Sequence, residues 1–381
     1  TNQSDQKSRN TISQAARNNL GSMVVVTGCM ANNYKEKLEG QSKITYVVDN
    51  ERKASIRQLV DAHFQGEILH PSNLEGDVFQ FNTVDRSLHT RSSIKIQDGC
   101  DNFCTFCIIP KVRGRAVSRP LPQIIENVKD TLANGFKELV ITGVNIGRYE
   151  WEDKRFEDVL EAILNVPGDF RVRISSLEPD GFGDRFYDLF EHPKLAPHLH
   201  LCLQSGSDKV LLRMRRMYDL NRFADIVDRF RTKRPDFNFT SDLIVGFPGE
   251  SETDFEESLD AITRFNFSHV HTFKYSVRKG TRAERMEDQI AENIKTERSA
   301  ILREASEQLR VNYLNRFIGR EQTVLVEKVD SRGFASGYGE HYIPVRFKGN
   351  DIQKNTFHKV RIIKLEGQGD NVGLLGENQE N

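Results

Sequence analysis

Gly99-Cys100-Asp101-Asn102-Phe103-Cys104-Thr105-Phe106-Cys107 sets three thiols in a C-x3-C-x2-C spacing. Three cysteinates so close in sequence can hold three irons of a cubane cluster and leave the fourth without a protein ligand. Such an iron is open to chemistry. Structural zinc is the competing occupant, but it takes four ligands, usually from two separated pairs. The other two cysteines, Cys29 and Cys202, lie far away in sequence. The spacing therefore favours an iron–sulfur cluster, with zinc or plain packing as the alternative. Five cysteines in 381 residues, with no signal peptide, do not make a disulfide framework. Reduced thiols lead us to expect a cytoplasmic protein.

A chain of this length, 37% hydrophobic and 29% charged, reads as a globular protein of two or three domains. No segment approaches the roughly 18 apolar residues of a membrane span. The net charge of -1 gives no global sign of nucleic-acid binding, although a local basic patch is enough for that.

Working outward from the cysteine loop, strand-like segments alternate with helical ones. Candidate strands are Ser93–Gln97, Glu138–Val144, Val172–Leu177, His198–Leu203, Thr240–Val245 and His269–Tyr275. Pro122–Asn134 reads as a helix stopped by Gly135, Asp208–Arg231 as one helix after Ser207, and Ser251-x-x-Asp254 as a capping box opening another. Successive β-α units imply a parallel sheet. Six units fall short of eight, so the fold expected is α/β, an open partial (β/α)6 barrel. The cysteine loop, Gly143 with Asn145, Glu178, Gln204, Gly246 and Arg278 each follow one of these strands, on the face where such barrels bind ligands. Before this core, helical Thr11–Asn19 and the strand Met23–Met30 form a small α/β piece. After it come a long helix, Gln289–Phe317, and the short strands Gln322–Glu327, His341–Val345 and Lys359–Lys364, read as a small β-barrel. The expected domains are 1–85, 86–317 and 318–381.

The cysteine loop on a partial barrel resembles the radical S-adenosylmethionine (SAM) superfamily. Ile96-Gln97-Asp98-Gly99-Cys100, Cys107-Ile108-Ile109-Pro110, Arg113-Gly114-Arg115, Thr142-Gly143-Val144-Asn145-Ile146-Gly147, Gln204-Ser205-Gly206-Ser207 and Gly246-Phe247-Pro248-Gly249-Glu250 resemble the methylthiotransferases within it. The closest branch is the MtaB type, which acts on C2 of N6-threonylcarbamoyladenosine at position 37 of tRNA. The resemblance implies a transferase with two [4Fe-4S] clusters and SAM. One cluster sits on Cys100, Cys104 and Cys107, its open iron chelated by SAM. The other is an auxiliary sulfur-donating cluster with Cys29 as one ligand, its partner cysteines expected upstream of a truncated start at Thr1. It implies SAM contacts from Phe106, Gly143, Asn145, Glu178, Gln204, Arg216 and Gly246, and an OB-like TRAM domain at the C-terminus. Adenine C2–H offers no acidic proton for a side-chain base, which is why hydrogen-atom abstraction is needed.

Arg113, Arg115, Lys348 and Lys359 are candidate RNA contacts, and Phe334 and Tyr338 candidate stacking platforms for bases. A tRNA anticodon stem-loop, a flavodoxin- or ferredoxin-like electron donor and a monomeric, membrane-free state complete the expectation. Cys202 reads as a buried core residue, and the pairs His198/His200 and His269/His271 as interior hydrogen-bonding groups. The alternatives are a MiaB-type enzyme acting on isopentenyladenosine in tRNA, a RimO-type enzyme acting on a ribosomal protein, and a non-catalytic TRAM-dependent RNA-binding protein.

Overall fold

The computed structural model describes residues 2–19, 21–80, 89–349 and 351–379. The expected boundary at 85/86 lies outside the described residues. The chain divides into two compact units. One comprises Thr1–Asn82, Asp98–Val117 and Ser276–Arg285, and the other Thr83–Gln97, Ser118–Tyr275 and Met286–Asn381. Among the described residues no helix is long and apolar enough to cross a membrane.

The first unit holds helix Asn2–Asn18, strand Val25–Thr27, helix Cys29–Glu39, strand Tyr46–Val48 and helix Ile56–Phe64, joined by the short helix Ile109–Arg113. Its two strands pair in parallel, Val26 opposite Val47. Val24, Val26, Ala31, Leu38, Ile44 and Val47 form its core, against Ile12 and Ala16 of the first helix. The strand expected over Met23–Met30 is shorter. It stops at Thr27 because Gly28 adopts φ 92°, and Cys29 then opens a helix.

The second unit carries the parallel strands. Arg91–Lys95, Glu138–Thr142 and Arg171–Ile174 form one sheet, and Ser176–Leu177, His198–Leu201, Asn238–Val245 and His269–Lys274 another. The third run is interrupted at Ser175, so the array consists of two sheets. Helices return the chain between strands with one apolar face inward. Leu121–Ala133, for example, buries Ile124, Val128 and Thr131 at helical spacing. The capping box at Ser251 and Asp254 is present. The single helix expected over Asp208–Arg231 is two, Asp208–Arg213 and Leu220–Lys233. Arg215 turns left-handed (φ 60°), and the Asp219 carboxylate then accepts from the Arg222 amide to start the second helix.

After the long helix Glu292–Asn315, five strands form a closed barrel: Glu321–Val329, Phe334–Tyr338, Pro344–Lys348, Phe357–Glu366 and Gly373–Asn378. Parallel pairing of Val345 with Leu374 completes it. The strand expected over His341–Val345 begins only at Pro344. A turn occupies the preceding residues, with Tyr342 at φ 58° and the Gly339 amide bonded to the Ile343 carbonyl. Strands Phe334–Tyr338 and Gly373–Asn378 were not expected.

Glu138 links this barrel to the parallel array. Arg91, Glu138 and Arg171 lie side by side on neighbouring strands. Glu138, 1% exposed, pairs with Arg171 (3.3 Å) and Arg173 (3.1 Å). Arg171 also donates to the Thr323 and Tyr338 carbonyls, and Arg173 to those of Gly339 and Glu340. Burial alone would raise the Glu138 pKa, but Arg173 and Arg171 outweigh it and hold the carboxyl below its ordinary value. Removing one partner of a buried cluster strands the others. Glu138→Ala is expected to cost about 3–5 kcal/mol, read as a lower urea midpoint.

Candidate functional site

The first unit brings Cys29 to the cysteine loop. Gly99 enters the loop at φ 69°, where an added Cβ would lie 2.0 Å from the Arg115 carbonyl oxygen. Only glycine fits. Cys100, Cys104 and Cys107 are half-buried. The Asn102 amide points at Cys100 Sγ (3.5 Å), and the Cys107 amide donates to the Cys104 carbonyl. The helix Ile109–Arg113 follows at once. From its end Arg113 Nε donates to Cys29 Sγ at 3.3 Å, and its Nη1 meets buried Asp98 at 3.1 Å. Asn32, on the helix that Cys29 opens, donates to the Val112 carbonyl (2.8 Å) and fixes the two helices together.

The donor set fits an iron–sulfur cluster. Among the described residues, the three-donor group close enough for a single ion is His200, Cys202 and Asp242, all within 4.8 Å, and not the loop cysteines. Three closely spaced, half-buried thiols match a cubane with one iron left open, whereas structural zinc takes four protein ligands.

The second unit holds the other candidate residues. Gln97 Oε1 accepts from the amides of Val144 (2.9 Å) and Asn145 (2.8 Å) and fixes the Gly143 turn. Asn145 is 3% exposed, and its Oδ1 has no hydrogen-bond partner in the protein. A buried acceptor left open suits a polar cofactor. Arg216, also buried, pairs with Glu178 and donates to the Tyr218 hydroxyl, which in turn donates to the Cys202 and Leu203 carbonyls. Gln204 takes an unusual φ of 68°, its amide bonded to the Asp242 carbonyl. Gly246, at φ 70°, donates to Glu250, whose carboxylate pairs with Arg298 at 2.6 Å. Burial pushes Glu250 above its ordinary pKa despite that pairing. The Ser207 hydroxyl and Lys209 both bind Asp254, tying the loop after the fourth strand to the helix Glu252–Arg264.

Phe106 is half-buried and Phe103 is exposed beneath the Arg115 guanidinium. Arg115 pairs with Asp101, and the Arg113 guanidinium is directed at Cys29 and Asp98. Lys348 and Lys359 are exposed on barrel strands. Tyr338 stacks on Tyr342 at 4.8 Å, and Arg346 lies over Phe334 at 3.9 Å. The positions not singled out from sequence are Gln97, whose side chain fixes the Gly143 turn, and Asp98, whose carboxylate holds Arg113. Both stood inside a quoted motif, but only as spacing.

Residues 94–262 match the family model of the radical SAM superfamily. The chain is 36% identical over 374 residues to a Thermotoga maritima protein named threonylcarbamoyladenosine tRNA methylthiotransferase MtaB, covering 97% of this chain and 85% of that protein. It is 35% identical to the Bacillus subtilis protein of the same name, covering 96% and 83%. It is also 35% identical to a Fusobacterium nucleatum tRNA-2-methylthio-N(6)-dimethylallyladenosine synthase, covering 92% and 82%. Among solved structures, the radical SAM methyltransferase TsrM from Kitasatospora setae superposes with a TM-score of 0.54 at 15% identity, over 70% of this chain and 58% of that one.

Burial alone would raise the Asp254 pKa, but Lys209, Ser251 and Ser207 hold it well below the usual carboxylate range. A depressed carboxyl contributes stability above its unfolded value, about 3.9, and loses it as pH falls toward the folded one. Asp254→Asn is therefore expected to be less stable at neutral pH and to show a flatter acid limb in a pH series of denaturation midpoints.

Proposed function

The chain belongs to the radical SAM methylthiotransferase family, and on that premise we propose that it modifies C2 of N6-threonylcarbamoyladenosine at position 37 of tRNA, using two [4Fe-4S] clusters. It is an enzyme that transfers a methylthio group, of the MtaB or MiaB type. One observation above all supports the two-cluster reading: the residue ending the helix after the triple-cysteine loop donates directly to the Cys29 sulfur. We also read the parallel array as a partial (β/α)6 barrel, residues 318–381 as a TRAM domain and the protein as a cytoplasmic monomer reduced by a flavodoxin or ferredoxin.

When bound, the cluster and SAM supply the one-electron chemistry needed to remove an unactivated aromatic hydrogen. The chain's residues supply ligation and placement. Cys100, Cys104 and Cys107 would hold the cluster through their thiolates. Asn145 offers an acceptor for a donor group of the cofactor, held in place by Gln97 through the preceding backbone. Glu178 and Arg216, anchored through Tyr218, present a paired carboxylate and guanidinium. Arg115, Lys348 and Lys359 remain candidates for tRNA phosphates. Arg113 serves Cys29 instead.

Near-equal identity to the dimethylallyladenosine enzyme keeps the MiaB-type substrate as a second reading. Nucleoside analysis of tRNA from a deletion strain decides between them. Loss of methylthio-threonylcarbamoyladenosine is expected. Its persistence alongside loss of the dimethylallyl product would replace the proposal with the second reading. In anaerobic assays, Cys104→Ala is expected to abolish formation of 5′-deoxyadenosine from SAM. Asn145→Ala is expected to raise the SAM Kd roughly tenfold, the scale of one lost hydrogen bond, with iron content unchanged.

A further inference from the structure

His200, Cys202 and Asp242 are left over by this reaction. They stand on two adjacent parallel strands and the residues just beyond, with His200 opposite Thr240 in register. His200 and Cys202 are two residues apart, and Asp242 is two beyond Thr240, which brings an imidazole, a thiol and a carboxylate to one place. Their donor atoms all lie within 4.8 Å of one another, and His200 Nε2 is 3.2 Å from Asp242 Oδ1. That separation is close to the edge of a tetrahedron with metal–ligand bonds of about 2.0–2.2 Å. His200 Nδ1 meets the Thr240 hydroxyl at 3.0 Å, the outer contact that orients a metal-binding imidazole.

We propose that His200, Cys202 and Asp242 bind one zinc ion, with a fourth position exchangeable between water and an oxygen or nitrogen donor. Sulfur, imidazole and carboxylate together suit zinc, whereas magnesium and calcium take oxygen ligands. Three protein ligands leave the coordination sphere open. His271, paired with Asp242 across the sheet, stands beside that opening, its ring centre 5.7 Å from that of His200. His200 and His271 also line a cavity of about 430 Å³, together with Thr240 and Tyr342. The proposed ligands include none of the loop cysteines and not Cys29.

The test uses the intact, cluster-loaded protein, stripped of adventitious metal and given zinc chloride alone. Crystals measured on both sides of the zinc absorption edge are expected to show one anomalous peak among His200, Cys202 and Asp242. Elemental analysis is expected to show about one zinc per chain in the wild type. Cys202→Ala and Asp242→Asn should lose that zinc while keeping their iron, and Thr240→Val should weaken zinc about tenfold through loss of the outer contact. No peak at these residues, zinc only at the loop cysteines, or unchanged zinc in both ligand variants would each overturn the proposal. The wild-type crystal decides alone if a variant does not fold.

Discussion

Glu138 is the constraint on which the second unit depends. A carboxylate so deeply buried is tolerable only with compensation, and two arginines from the neighbouring strand provide it. Those arginines are themselves buried and must satisfy their remaining donors, which they do on carbonyls of the C-terminal barrel. Arg91 completes the arrangement, pairing with Glu327 at 2.7 Å and lying over the Tyr338 ring at 4.9 Å. The charge balance of one carboxylate therefore fixes where the barrel stands against the strand array.

Arg113 plays a comparable part in the first unit on a smaller scale. It closes a chain that runs from the Asn50 side chain through Asp98 to Cys29. Cys29 lies in the first turn of its helix, where backbone amides leave partial positive charge. The Cys29 sulfur is thereby held against the Arg113 guanidinium at the start of that helix.

Much of this was legible from local pattern. The six parallel strand runs were visible as apolar segments, and the capping box at Ser251 as a spacing. What failed were places where one residue's backbone conformation decides. Gly28 ends a strand that Val24–Val26 would otherwise extend, and Arg215 breaks a helix whose apolar positions run on past it. Strand Gly373–Asn378 was invisible because its glycines reflect closure, not a turn: a Cβ on Gly376 would lie 2.4 Å from Val360. The cysteine loop was legible because its chemistry is written in spacing. Gln97 was not, because it acts through backbone amides 47 and 48 residues away. Cys202 was rightly placed in the interior, but only the register of two strands shows which donors it meets.

The hold of Arg171 and Arg173 on the barrel has an evolutionary consequence. Their hydrogen bonds to it go to main-chain carbonyls, while their guanidiniums lie over the Phe357 and Tyr342 rings at 4.9 and 4.5 Å. Every amino acid presents the same carbonyl, so these hydrogen bonds do not depend on which side chains stand at Thr323 and Glu340. Change at those two positions would leave the bonds intact, whereas change at Glu327, Tyr338, Tyr342 or Phe357 would remove a side chain that an arginine of the strand array meets.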